Sequence, residues 1–241
     1  MKIKTTKKEH PSNMKVGVFG RSGAGKTSLI KTLPCEESKV LVIGVEAGQE
    51  VLRRSDFALI EWSDIEQEDT MRKFKAVLNH LKEGHDYEWI ALDSFTCMAQ
   101  AMLGEFQTNP AKYGCVNKSG KFDGLAMYGS LKKYFKKMME SFLALPNCSK
   151  LVLFGATEKS EGVDPRIEVT IPGSYAEDAP YVFDEFYGLK VNTDKERQLV
   201  TGNDGAWISK SRMSGGAGDV LDLYEPADIA TIIEKCYKEN N

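Results

Sequence analysis

Short apolar runs that end in glycine or a single acidic residue alternate along the chain with segments whose apolar positions recur every three or four residues. MKVGVFG (14–20) is a continuous apolar run stopped by glycine, which predicts a buried strand. A short helix is expected from about Lys26, closed by Pro34. KVLVIGV (39–45) reads as a second buried strand and FALIEW (57–62) as a third beside it. Met71, Phe74, Val77, Leu78 and Leu81 share one helical face within 67–83. WIALDS (89–94) then predicts a central strand, bounded by a Ser-Phe-Thr turn. Met127, Leu131, Tyr134, Phe135, Met138, Phe142 and Leu143 predict a second amphipathic helix over 126–144, and KLVLFGAT (150–157) another buried strand. Two antiparallel strands are expected at FDEFYGLKVN (183–192) and RQLVTG (197–202). WISKSR (207–212) follows as a further strand, and PADIATIIEKCYK (226–238) should close the chain as a helix with Pro226 near its first turn.

Strands alternating with helices imply an α/β fold, with a mainly parallel twisted sheet flanked by helices on both faces. The late pair adds antiparallel strands at one edge. Residues 1–13 carry Lys2, Lys4, Lys7 and Lys8 and read as a basic tail, with 14–241 as a single domain. At 241 residues and 41% hydrophobic content the chain can bury a full core. Its formal charge of -3 excludes a uniformly basic nucleic-acid coat, so any nucleic-acid contact must come from a local patch. The five cysteines are scattered without a CxxC, and only three histidines are present. That pattern points to a reducing cytoplasm and away from a zinc or histidine centre. No apolar run approaches the roughly 18 residues of a membrane span, so no membrane partner is expected.

The chemistry begins at Gly20-Arg21-Ser22-Gly23-Ala24-Gly25-Lys26-Thr27, which satisfies G-x-x-x-x-G-K-[ST] between a strand and a helix. Glycines let successive backbone N–H groups turn inward around phosphate oxygens. Lys26 is expected to neutralise β- and γ-phosphate charge, Thr27 to ligand Mg²⁺, and Ser28 to complete the nucleotide contacts. Asp93 ends the apolar strand WIALDS, where it can reach the metal shell. Glu46 ends the second strand, and ligands of a parallel sheet collect at the carboxyl ends of strands. Glu46 and Asp93 should therefore flank one γ-phosphate, with Glu46 as the general base that polarises water. ATP and Mg²⁺ are the cofactors this pattern implies.

The order of P-loop, strand-end Glu46, Asp93 and LVLFGATEK resembles the RecA-like P-loop NTPase core. More closely, residues about 14–215 resemble phage-encoded RecA-like ATPases of the recombination and single-strand annealing type, an AAA-domain family of phage nucleotide-binding proteins. The particular matches are VLVIGVEAG, ALDSFT, FDGLAMYGSLKKYFKKM, FGATEK and IPGSYAEDAPYVFDEFYGL. The resemblance implies a γ-phosphate sensor at Thr157 or Glu158, where the bacterial recombinase has glutamine, with Lys159 as a substitute. It also implies that Lys210 and Arg212, in a K-x-R like that of helicase-like relatives, enter a neighbouring subunit's ATP site. A homo-oligomer, ring or filament, follows from that.

Two segments match the DNA-facing loops of such proteins. Residues 108–124 offer Lys112, Lys118 and Lys121 for phosphates and Tyr113 or Phe122 for base stacking. Residues 159–182 hold Arg166 among several acids. Single-stranded DNA, and with it a single-strand-binding protein, are the expected partners, in a host cytoplasm. Two other functions fit the motifs: an ATP-binding module with little hydrolysis, and a small-molecule phosphotransferase. The second would need an arginine-bearing lid that the chain does not display.

Overall fold

The computed structural model describes residues 13–46, 48–159, 166–214 and 220–238. The expected basic tail thus lies outside the described residues apart from Asn13. β1 (Lys15–Gly20) leads through the glycine-rich loop into α1 (Lys26–Leu29), which a 3-10 turn extends to Thr32. β2 (Val40–Gly44), β3 (Ala58–Glu61), α2 (Thr70–Glu83) and β4 (Trp89–Asp93) follow. Next come α3 (Phe95–Thr108), α4 (Gly124–Leu143), β5 (Ser149–Lys159), β6 (Arg166–Val169) and α5 (Tyr175–Asp178). The last elements are β7 (Glu185–Val191), β8 (Arg197–Val200), β9 (Lys210–Ser211), β10 (Tyr224–Pro226) and α6 (Ile229–Lys238).

The strand order is β10-β8-β7-β1-β5-β4-β2-β3, with β6 added to β5 and β9 to β7. From β7 to β3 every pairing is parallel, while β8, β9 and β10 run antiparallel at one edge. This is the mixed α/β class that the alternation predicts. Its central strands are buried along their length because both faces are covered. Phe19, Leu92, Phe154 and Phe186 pack with Phe74 of α2, Met98 of α3 and Phe135 of α4. Val16, Val18, Leu151 and Leu199 pack on the other face with Leu29 of α1 and Ile232 of α6.

Four expectations need correction. The Ser-Phe-Thr segment is no turn but the start of α3. The Ser94 hydroxyl accepts the Cys97 N–H at 3.3 Å as an N-cap, and Phe95, Met98, Ala99, Met102 and Phe106 form the buried face. The closing helix begins at Ile229, where Asp228 takes the capping role by accepting the Thr231 N–H at 2.9 Å. Pro226 instead ends the edge strand β10, a position where its missing N–H costs no ladder bond. Residues 159–182 are not one loop. β6 pairs antiparallel with the end of β5 from Ala156↔Val169 to Lys159↔Arg166, and α5 follows, with 160–165 outside the described residues. Finally, of WISKSR only Lys210 and Ser211 are strand, and Trp207 makes a single bridge to Ile167.

Candidate functional site

The parallel register brings the carboxyl ends of β1, β2 and β4 together, with Gly44 beside Asp93 across one ladder. Beyond Gly20 the loop turns through Gly23 (φ 76°) and Gly25 (φ 98°), left-handed positions that favour glycine and let the backbone curl. The Lys26 ammonium donates to the Gly20 carbonyl at 3.1 Å and the Arg21 carbonyl at 3.2 Å, so it closes over the loop mouth. The Thr27 hydroxyl donates to Asp93 Oδ2 at 2.7 Å. The Asp93 carbonyl accepts the N–H groups of Val45 and Glu46, which ties the start of the Glu46 loop to β4. Glu46 Oε2 then accepts from the Ser94 hydroxyl at 3.3 Å and from the Cys97 thiol at 3.5 Å. The structure therefore brings together Lys26, Thr27, Asp93 and Glu46.

Burial is the main force on Asp93 and pushes its pKa up. The Thr27 hydrogen bond opposes this, the Glu46 charge reinforces it, and Lys26 again opposes it. A buried carboxylate beside a second carboxylate is poorly balanced by one hydroxyl and a lysine, so a cation placed there is stabilised. Thr27 and Asp93 supply two neighbouring oxygen donors. Among the described residues no group of three His, Cys, Asp or Glu could hold a metal ion. That sparse oxygen set fits Mg²⁺, which keeps waters and substrate phosphates as its other ligands. Burial also raises the Cys97 thiol pKa, with Glu46 adding to the effect, so Cys97 is a neutral neighbour of the carboxylate.

The family pattern described as an AAA domain matches residues 12–213, which span the loop, Asp93, Glu46 and the edge strands through β9. The chain belongs to the AAA domain family. Among curated proteins none matches it. A solved structure, reported as a prototypical ATPase from the type III secretion system of pathogenic bacteria, is similar at a TM-score of 0.47 and 13% identity. The likeness covers 95% of this chain, which spans 62% of the length of that protein.

In this AAA domain the other expected site residues have separate fates. Arg21 and Ser22 are exposed and Ala24 is buried at the tip of the loop, while Ser28 is half-buried in α1. Of the two sensor candidates, Glu158 is the one that reaches the loop, through an ion pair with Arg21. Thr157 pairs with Glu168 in the ladder and is exposed. Lys159 is held by Glu168 at 2.6 Å. Lys210 and Arg212 stand at the opposite end of the sheet, since β9 pairs with Glu185 and Phe186 while Gly20 lies level with Leu189. Lys210, level with Phe186, lies three residues from Leu189, about 10 Å along the strand, and Arg212, beside Asp184, lies five residues away, about 16 Å, at roughly 3.3 Å each. Arg212 lies just past β9, where Asp184 (3.3 Å) and the Tyr181 carbonyl (3.2 Å) hold its guanidinium. Neither cation reaches the P-loop of its own chain.

The DNA-facing expectations divide similarly. Tyr113 is not a free stacking surface: its ring lies flat on Phe106 at 4.1 Å and its hydroxyl donates to Glu105. Lys112 pairs with Asp69 at 3.0 Å. Lys118 and Lys121 are exposed in a tight turn organised by Asn117, whose side chain accepts the Ser119 and Lys121 N–H groups. Phe122, beside them, is 53% exposed, and Arg166 is exposed at the start of β6. Three contacts of the site had no counterpart in the motif reading: Ser94 and Cys97 on Glu46, and the Arg197 side chain of β8 packed against Gly25 of the P-loop. The first two follow from the Ser94 N-cap; the third has no local signal.

Proposed function

We propose that the chain hydrolyses ATP with Mg²⁺ and spends the cycle on single-stranded DNA, in recombination or annealing of the phage type, as a homo-oligomer. The observation that carries the hydrolytic part is the meeting of Lys26, Thr27, Asp93 and Glu46 at one end of the sheet. Lys26 neutralises phosphate charge, and Glu46 takes the proton of the water that attacks the γ-phosphorus as ADP leaves. Mg²⁺, held by Thr27 and Asp93, would neutralise charge on the transferring phosphoryl group. Ser94 and Cys97 fix the Glu46 carboxylate from α3, a rigid element, which favours a working base over a module that only binds ATP.

The DNA part rests on the family-type resemblance and on the exposed Lys118, Lys121 and Phe122, which join cations to an aromatic face. The oligomer part rests on Lys210 and Arg212: cations that cannot serve their own P-loop are available to a neighbour's, and Arg212 would exchange Asp184 for a phosphate there. A single-strand-binding protein is the natural further partner of such a cycle.

ATP turnover with and without single-stranded DNA, in the wild type and in Glu46→Gln, tests the reading. The expected result is nucleotide affinity kept and turnover cut by about 10²-fold or more in Glu46→Gln, with DNA stimulating only the wild type. Normal turnover in Glu46→Gln would remove Glu46 as the base. An absence of DNA stimulation and of DNA binding would remove the DNA substrate.

A further inference from the structure

We infer that Arg197, on the edge strand β8, is a nucleotide-binding residue of the chain's own P-loop, contacting the α/β-phosphate end of ATP or ADP. The inference rests on the P-loop reading above.

The geometry comes from the loop itself. Gly25 immediately precedes Lys26, and the Arg197 guanidinium lies directly against it. A β-carbon placed on Gly25 would stand 2.7 Å from Arg197 Cζ and 2.9 Å from its Cδ, closer than side chains pack. Arg197 reaches this position because β8 is the return strand of a hairpin whose tip rises beside the loop. Leu189 of β7 is level with Gly20, Val191 pairs with Arg197, and Asn192 caps the turn between them. The Arg197 carbonyl accepts the Ala227 N–H, so the strand is pinned from its outer side as well.

The charge is placed without an internal use. Among the described residues no carboxylate lies within ion-pair distance of the Arg197 guanidinium, whereas Arg21, Arg53, Arg72 and Arg212 each have one. Glycine-rich loops of this pattern cradle the α- and β-phosphates with backbone N–H groups, while the lysine reaches the β- and γ-phosphates. A guanidinium against Gly25 therefore adds positive charge at the α/β side, opposite to the γ side marked by Glu46. Arginine suits this because its planar fork can give two N–H groups to phosphate oxygens. A contact at the α-phosphate, which gains no charge as the bond between the β- and γ-phosphates breaks, is made to ATP and ADP alike, so it strengthens binding and leaves the chemical step alone.

Titration of the intact chain with ADP·Mg²⁺ and ATP·Mg²⁺, in the wild type, Arg197→Ala, Arg197→Lys and Lys26→Ala, decides the matter. Arg197→Ala should raise the Kd of both nucleotides by about tenfold or more, the scale of losing a charged hydrogen bond. kcat at saturating ATP should stay within about twofold, and Arg197→Lys should recover part of the affinity. The thermal midpoint without nucleotide should not move, since the lost group is exposed. If Arg197→Ala binds both nucleotides like the wild type while Lys26→Ala does not, the inference is overturned and the P-loop reading survives. A fall in kcat at unchanged Kd would also overturn it, because that marks a group acting at the γ-phosphate. Wild-type protein that binds neither nucleotide would instead sink the P-loop reading itself.

Discussion

The two ends of the sheet treat buried charge in opposite ways. At the amino end Glu185 is fully buried, and it accepts hydrogen bonds from the Tyr187 hydroxyl at 2.6 Å and from the N–H groups of Arg212 and Met213 at 2.9 and 3.0 Å. Burial pushes its pKa up, and those donors together with Ser211 pull it back. Lys150, equally buried, gives its ammonium to the Leu145 and Cys148 carbonyls that close the turn after α4. At the carboxyl end buried Asp93 has one hydroxyl, while half-buried Lys26 has only main-chain carbonyls and exposed Glu46 has a hydroxyl and a thiol. A buried ion with its hydrogen-bonding capacity filled belongs to the structure; one left with spare capacity is arranged for something that arrives. The contrast separates a structural end from a reactive end more sharply than burial alone.

The strongest way to break that contrast is at Arg212, which lies at the structural end although the resemblance to helicase-like relatives implies a catalytic role for it. If Arg212 acts on a neighbour's phosphate, Arg212→Ala should lower hydrolysis by about 10³-fold with ATP binding kept. Mixing it with Glu46→Gln protein should then restore part of the activity, because some interfaces regain both groups. Mixed oligomers that form yet stay inactive would return Arg212 to a purely structural role with Asp184.

Glu185→Ala sharpens the contrast from the other side. Removing the carboxylate strands two N–H groups and a buried hydroxyl, so stability should fall by about 3 kcal/mol. Urea midpoints would read this, and ADP affinity of the folded fraction should be unchanged. A weakened nucleotide affinity with normal stability would show that the two ends are coupled.

The smallest effect is expected at Asp69, a filled acid at the start of α2. It caps α2 by accepting the Arg72 N–H at 2.8 Å and pairs with Lys112. Burial by itself would raise its pKa, but the Arg72 N–H and the Lys112 ammonium outweigh it and the net shift is downward. A lowered carboxylate stabilises the fold above its unfolded pKa and loses that contribution as pH falls through the folded one. Asp69→Ala should therefore cost about 1 kcal/mol at neutral pH. The gap to the wild type should narrow as pH drops below the ordinary carboxylate range. A gap constant down to pH 3 would mean that the carboxylate charge plays no part.

Much of this could be read from residue order alone. The P-loop needs eight consecutive residues, Asp93 ends the apolar strand β4 and Glu46 follows β2 by two residues, so local spacing carried both the candidate chemistry and the parallel sheet that presents it. The α3 helix was equally legible: Phe95, Met98, Ala99, Met102 and Phe106 keep helical period after Ser94. It is hidden only because Asp-Ser-Phe at a strand end also reads as a turn. Tyr113 illustrates the opposite limit, since a loop aromatic beside lysines looks like a stacking surface until Phe106 of α3 takes its face. Whether a cation serves the P-loop or the far end depends on which residues of β7 it sits beside. That register is set by packing between segments more than a hundred residues apart. Lys210 falls level with Phe186 and Arg212 beside Asp184, and Arg197 falls beside Gly25, for the same reason. Local sequence determines the period of an element and the residues of a loop. Only tertiary pairing decides at which end of the sheet each charge comes to rest.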